Sequence, residues 1–264
     1  MTTTSELEAR LDKLLATAQA EVADTDLFAP LIEREECPIC LLPLPILNNE
    51  SLYMTCCGKR ICEGCFYVSY TTAMKEGVPK HKLKCPFCRQ ITSKINDIKA
   101  LKKLMNNNHS TAFLQMADRY ESGSGVVQSD TKKLEMYIRA AELGDKEAYW
   151  KISSHYHGGI IFEEEGYNEE DMSKWLMWNE ISARKGSVTA HKMLAIAYKN
   201  DNIDRSIQHW KVLAEAGDQD AMNKLMKAYK DHHLSKTDLA KTLRAFQKSN
   251  DQMKSKDRSD RKDK

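Results

Sequence analysis

Cys37-Pro38-Ile39-Cys40, Cys56-Cys57, Cys62-Glu63-Gly64-Cys65 and Cys85-Pro86-Phe87-Cys88 hold all eight cysteines of the chain, as three C-x-x-C turns and one adjacent pair. A C-x-x-C turn lets two thiolates converge on one tetrahedral ion, and two such turns complete a closed structural site. Eight thiolates make two sites. Soft sulfur ligands also suit iron–sulfur clusters, but evenly paired turns in a short polar segment point to zinc. Disulfides are the competing reading. Against them, Met1-Thr2-Thr3-Thr4-Ser5-Glu6 leads into a charged helix and not into an apolar secretory stretch. A reducing compartment, cytoplasmic or nuclear, is therefore expected, and there such spacing binds metal. Spacing alone leaves open which pairs share an ion.

The order of these residues resembles the RING finger family: two ligands, a long loop, two ligands, a C-x-x-C, a second long loop and a last C-x-x-C. The resemblance implies a cross-brace and two zinc ions, one held by Cys37, Cys40, Cys62 and Cys65 and the other by Cys56, Cys57, Cys85 and Cys88. The family's common Cys-Gly-His is here Cys57-Gly58-Lys59, and an ammonium has no lone pair for zinc. Cys56 is the simplest replacement, which makes an all-cysteine variant. Adjacent residues point apart in extended chain, so the pair needs a tight bend, for which Gly58 is suited. His81, among Lys80, Lys82 and Lys84, is the rival ligand, although a histidine in that setting is more often solvated.

RING fingers of the ubiquitin-ligase kind carry an aliphatic residue inside the first C-x-x-C, a proline inside the last and an arginine directly after it. Ile39, Pro86 and Arg89 stand at those places. The resemblance implies a shallow apolar groove for a ubiquitin-conjugating enzyme, with Arg89 bridging that enzyme and its attached ubiquitin. A guanidinium there would preorganise a flexible thioester conjugate and lower the entropic part of the barrier. With all eight thiols on zinc, none is left as a nucleophile, so no covalent ubiquitin intermediate forms on this chain. No Gly-x-Ser-x-Gly elbow, phosphate-binding glycine loop or His-Glu-x-x-His helix suggests another catalytic centre. The competing reading is a non-enzymatic zinc-containing interaction scaffold.

Length and charge bound the rest. The 264 residues allow about two domains, with 30% charged, 41% hydrophobic and a net charge of +2, so nothing global points to nucleic acid. No apolar run is long enough for a bilayer, and no membrane partner is expected. Residues 5 to about 22 read as a helix opened by a capping box, Ser5 with Glu8, and striped by Leu7, Leu11, Leu14, Leu15, Ala18 and Val22. The stripe could pair two copies, but fewer than three heptads favours packing on its own chain. Residues 23 to 36 read as a linker whose Leu27, Phe28, Leu31 and Ile32 are expected to dock on the zinc domain. Within residues 37–92, Ser51–Met54 fits a strand and Glu63–Lys75 a helix supplying Phe66, Val68 and Tyr70 to a small core. Residues 93–108 form a connecting helix ended by Asn106-Asn107-Asn108.

Residues 109–248 contain an internal repeat. An alanine is followed eight residues later by tyrosine four times: Ala112 and Tyr120, Ala148 and Tyr156, Ala190 and Tyr198, Ala221 and Tyr229. Met116, Ile152, Leu194 and Leu225 lie four after each alanine, so each segment is one amphipathic helix. Gly144, Gly186 and Gly217 stand four before the last three alanines and each ends a second helix as a left-handed cap. Those helices carry Met136-Tyr137, Trp178 and Trp210 near matching places, as core. The units, above all Tyr120-Glu121-Ser122-Gly123-Ser124-Gly125-Val126 with Ala140-Ala141-Glu142-Leu143-Gly144, resemble Sel-one-like repeats, relatives of tetratricopeptide repeats. The resemblance implies an α-solenoid that holds a protein substrate or adaptor. The second unit has an acidic insertion, Glu163-Glu164-Glu165, and the third a shortened turn at Lys199–Asp201. Ser235 with Asp238 starts a last helix to about Lys248, and residues 249–264 read as a disordered charged tail in which Arg261-Lys262 is a weak nuclear signal. The fold class expected is mainly α: a small zinc-bound α+β cross-brace domain joined to a helical solenoid.

Overall fold

The computed structural model describes residues 4–31, 34–46, 50–91, 94–156 and 169–254. Ile32, the Glu163-Glu164-Glu165 insertion and the tail from residue 255, with Arg261-Lys262, lie outside the described residues.

The fold is mainly α. Four helical hairpins follow one another: α4 (Ser110–Ser122) with α5 (Asp130–Glu142), α6 (Lys146–Tyr156) with α7 (Glu169–Arg184), α8 (Val188–Asp201) with α9 (Ile203–Glu215), and α10 (Gln219–Lys230) with α11 (Lys236–Gln252). The small repeat residues make the crossings close: Ala112, Ala148, Ala190 and Ala221 are all fully buried, as are Met116, Ile152, Leu194 and Leu225. Between hairpins one short device recurs. Gly144, Gly186 and Gly217 take φ of 83°, 85° and 97°. The glycine N–H bonds back to Ala141, Ala183 or Ala214, and the following N–H to Ala140, Ser182 or Leu213, closing a paired left-handed cap. That following residue then starts the next helix. Ser187 and Asp218 accept from the N–H groups of Ala190 and Ala221, and Asp145 from that of Glu147. The glycine was legible in the sequence, whereas its partnership with the next cap is visible only in the structure. The shortened third turn is a single residue, Asn202, which ends α8 and caps α9.

Helix α1 (Thr4–Val22) lies on α5 and α7 and buries Leu7, Leu11, Leu14, Ala18 and Val22 in the same core as Ile138, Tyr149, Ile152 and Trp178. The apolar stripe is thus covered by its own chain. Ser5 sits inside the helix and not at its cap, because the helix already includes Thr4. The linker also departs from expectation. Leu27 is buried against Ala183, Ala190 and Leu194 of the repeats, with Phe28 beside it, so this segment docks on the solenoid and not on the cysteine module. Apolar side chains there find a ready pocket between repeats, while the module's core is already filled by its sulfur atoms.

The module contains one antiparallel hairpin, β1 (Ser51–Met54) with β2 (Lys59–Cys62), paired Ser51 to Cys62 and Met54 to Lys59, followed by α2 (Glu63–Lys75). Phe66 packs against its core and stacks on Tyr70 at 6.1 Å, but Val68, one turn beyond Cys65, is exposed, because burial in α2 is confined to its first turn at Gly64 and Cys65. Helix α3 (Lys94–Asn106) joins the module to α4. Asn108 ends it with φ 55°, and the N–H groups of Asn108 and His109 return to Met105 and Leu104. Tyr53 of β1 packs with Leu101, Leu104 and Met116, and a Cβ on Gly58 would lie 3.2 Å from both Leu104 and His109. The hairpin tip is therefore seated on the α3–α4 corner. At the other end α11 runs on to Gln252, beyond the expected stop near Lys248, and buries Ser249.

Candidate metal centre

Local backbone rules place the sulfur atoms. After the first C-x-x-C the chain folds back: Leu41 N–H reaches the Cys37 carbonyl at 2.8 Å and Cys37 N–H the Leu42 carbonyl at 2.9 Å. The last C-x-x-C repeats this turn, with Arg89 N–H on Cys85 O at 3.0 Å and Cys85 N–H on Gln90 O at 2.7 Å. Both turns require a left-handed fifth residue, Leu41 at φ 57° and Arg89 at φ 63°. Between β1 and β2, Cys57 and Gly58 donate to the Met54 carbonyl, and Gly58 at φ 69° bends the chain so that Cys56 and Cys57 face one centre. The remaining pair, Cys62 and Cys65, is third in the chain and is carried by the start of α2, where Cys62 caps the helix through Cys65 N–H.

The four pairs meet as two groups, Cys37, Cys40, Cys62 and Cys65, and Cys56, Cys57, Cys85 and Cys88, each with its sulfur atoms within 4.8 Å of one another. First joins third and second joins fourth, which is a cross-brace and not a sequential arrangement. All eight are free thiols. Representative separations are 3.9 Å for Cys40 to Cys62 and 3.5 Å for Cys56 to Cys88. A tetrahedron with metal–sulfur bonds of about 2.3 Å has edges of roughly 3.8 Å, so each group fits one such ion.

Electrostatics agree. Burial pushes the Cys57 thiol up to about 11, with the neighbouring Cys85 and Cys88 sulfurs adding to it. Burial likewise raises Cys56 and Cys65, each crowded by further sulfurs of its own group. Cys37 goes the other way: burial raises it, but the backbone N–H groups of Cys40, Cys62 and Ile39 outweigh that and bring it to about 7. At Cys88 burial is outweighed by the Gln90 N–H and by the Cys56, Cys85 and Cys57 thiols. In each group burial and sulfur crowding thus favour the protonated form of some thiols, while backbone N–H groups favour the thiolate at Cys37 and Cys88.

Of the other residues read from the sequence, Ile39 is 40% exposed on the first turn, Pro86 half-buried on the last, and Arg89 exposed just after it. Leu41, Phe87 and Ile91 are also exposed large apolar residues on these two turns and were not singled out beforehand. Their positions flanking the cysteines were the available signal. His81 is exposed in a short 3-10 turn, Lys80–Lys82, and joins neither sulfur group.

No family model matches the chain. It is similar to the E3 ubiquitin-protein ligase GW2 of Oryza sativa subsp. indica, 37% identical over 83 residues, and equally to that of subsp. japonica. The match covers 31% of this chain and 16% of each relative. Thus the chain spans about a sixth of their length. Among solved structures it is similar to a Sel1 repeat protein from Oxalobacter formigenes, at 22% identity and TM-score 0.44, over 71% of this chain and 70% of that one. A second is c5321, a protective antigen of uropathogenic Escherichia coli displaying an SLR fold, at 21% identity and TM-score 0.44, over 69% and 37%.

The chain pairs a cross-braced cysteine module, similar over 83 residues to an E3 ubiquitin-protein ligase, with a stack of helical hairpins built on one repeated pattern. Among the described residues no helix of either half is long and apolar enough to cross a membrane.

Proposed function

We propose that the protein is a RING-type E3 ubiquitin ligase of the scaffold kind. Its RING-type module recruits a ubiquitin-conjugating enzyme, and its repeats hold a protein substrate or adaptor. Two zinc ions, one in each sulfur group, would supply folding energy to the module, about 10 kcal/mol or more each, and take no part in acyl transfer. The observation that carries the reading is the placement of Ile39, Pro86 and Arg89 on two matching cysteine turns, where apolar surface and a guanidinium remain open to a partner. Ile39 and Pro86 would seat a loop of the conjugating enzyme. Arg89 would hold the thioester-linked ubiquitin in an attack-ready pose. The thioester belongs to the partner, because every thiol of this chain lies in a sulfur group. The rate gain is positional and comes from a restrained conjugate beside a captured substrate.

The test is discharge of a preloaded conjugating enzyme onto free lysine, followed by autoubiquitination. Ile39→Ala removes part of the apolar contact, worth about 1–2 kcal/mol, and is expected to slow discharge about tenfold. Arg89→Ala is expected to lower discharge at least as much while leaving enzyme binding nearly intact. Discharge by the zinc-loaded wild type no faster than by conjugating enzyme alone would leave the interaction scaffold as the better reading.

A further inference from the structure

Residues 25–31 are not a passive linker. The segment contains no regular helix or strand, and its own backbone bonds are local, such as Ala29 N–H to Asp26 O at 3.2 Å. It is held to the solenoid by side-chain anchors. Leu27 is buried among Ala190, Leu194, Trp150, Leu176 and Tyr198, between the second and third hairpins. Phe28 meets the His209 ring edge-on at 4.9 Å, and Arg184 donates to the Thr25 carbonyl. Asp26 and Pro30, on either side of the pair, are exposed. A turn that meets a groove only through adjacent side-chain anchors, with exposed residues on either side, is held as a bound peptide is held, by its side chains and not by a shared backbone ladder.

The floor of this pocket has polar capacity that its occupant leaves unused. His191 Nδ1 and His209 Nδ1 lie 2.9 Å apart, and His191 is also hydrogen-bonded to the Ala183 backbone. With its other nitrogen committed there, His191 accepts at Nδ1 and His209 donates from Nδ1. His209 Nε2 is then a bare acceptor, fully buried and without a partner among the described residues. A buried acceptor left without a partner is uncommon in a core built only for packing.

We propose that this pocket is the solenoid's peptide-binding site and that Leu27-Phe28 fills it in cis, as an internal competitor for a partner segment carrying an aliphatic–aromatic pair at a turn. This deepens the ligase reading, since it gives the repeats a ligand class and a built-in brake, and it rests on that reading only in calling the ligand a substrate or adaptor. A tethered segment at an effective concentration on the order of 1 mM lowers the apparent affinity for a peptide in trans about tenfold when its intrinsic Kd is about 0.1 mM.

The experiment is fluorescence anisotropy with a labelled peptide of residues 24–31, Asp-Thr-Asp-Leu-Phe-Ala-Pro-Leu, titrated with zinc-loaded full-length protein. The Leu27→Ala/Phe28→Ala protein is expected to bind it about tenfold more tightly than wild type, and a peptide with alanine at both anchor positions is expected not to bind. Because the opened protein carries no anchors of its own, filling of the pocket by a second copy is excluded in that arm. Equal affinity of the two proteins, or equal binding of the alanine peptide, overturns the proposal. Should the double variant lose its far-UV helicity, Arg184→Gln opens the segment without hollowing the core. It is expected to raise affinity several-fold, and an unchanged affinity overturns the proposal. No ubiquitin transfer is read, so failure here leaves the ligase assignment standing, and an inactive Ile39→Ala protein leaves this one standing.

Discussion

Arg89 and Leu41 hold φ of 63° and 57°, a region that costs a side-chain-bearing residue about 1–2 kcal/mol. Glycine at position 89 relieves that strain and returns about 0.5–1 kcal/mol of backbone entropy to the unfolded chain. Arg89→Gly is thus expected to be neutral or stabilising by up to about 1 kcal/mol in urea unfolding of the zinc-loaded protein, yet to lose discharge activity as Arg89→Ala does. A loss of zinc binding in that variant would show that the guanidinium supports the turn itself. The repeat glycines give the opposite sign. A Cβ on Gly144 meets nothing within 4 Å, so Gly144→Ala costs only the left-handed strain, about 1 kcal/mol. On Gly217 it lies 2.9 Å from Ser249 Oγ, and Gly217→Ala is expected to cost measurably more in the same assay. The buried pair His191 and His209 titrates low, at about 4 and about 3, chiefly because burial disfavours the imidazolium. Lys146 and Arg205 press the same way. Folded values below the unfolded 6.5 mean that the native state binds fewer protons. Stability is therefore full above about pH 6.5 and falls as pH drops toward 4, by up to about 1.4 kcal/mol per pH unit for each histidine. Tryptophan-detected urea midpoints at pH 7.5 and pH 5.5 check this, and equal midpoints would contradict it. Neither the glycine caps nor the cysteine spacing needed tertiary information to be read, because each is a demand of one short stretch of backbone. The histidine pair is mixed: counting eight back from each repeat glycine aligns Met136, Trp178 and His209, so His209, and not the half-buried Trp210, stands at the position of Trp178, but its meeting with His191 is a tertiary contact.

At the scale of elements, α1 shows what periodicity can and cannot tell. Its stripe was plain from spacing, but the surface that covers it, α5 and α7, lies far away in sequence and leaves no local trace. Leu11→Ala is expected to destabilise the tryptophan-reported transition by about 2–5 kcal/mol, since it empties a site that is 2% exposed in a shared core. Light scattering of the wild type should give a mass independent of α1 substitutions. A coiled-coil dimer lost with Leu11→Ala would refute the packing on α5 and α7. The same lack of local signal explains the linker. Leu27 and Phe28 were recognisable as residues that must dock, while their seat depends on how two hairpins stack. Val68 failed for a simpler reason: only the first turn of α2, with Gly64 and Cys65, is buried in the module's core, and Val68 lies one turn beyond it.

For the whole molecule, the distribution of tryptophan offers a direct readout. Trp150, Trp175, Trp178 and Trp210 all belong to the repeats, and residues 37–92 contain none. Treating the zinc-loaded protein with a strong chelator is expected to abolish ubiquitin discharge and release two zinc ions per chain, while tryptophan fluorescence and most far-UV helicity persist. Helicity lost in parallel with the metal would refute independent folding of the two halves. The repeats should nevertheless unfold at a lower urea concentration once the metal is gone. Just before the cysteine module, Arg34 is tied to Ala216, Ser249 and Met253 at the last hairpins, and just after it α3 leans on α4 of the first. The module is therefore bolted to both ends of the stack like the handle of a mug. A free stack of hairpins bends and stretches like a spring, but one whose two ends are tied through the same small module can do neither without straining that module.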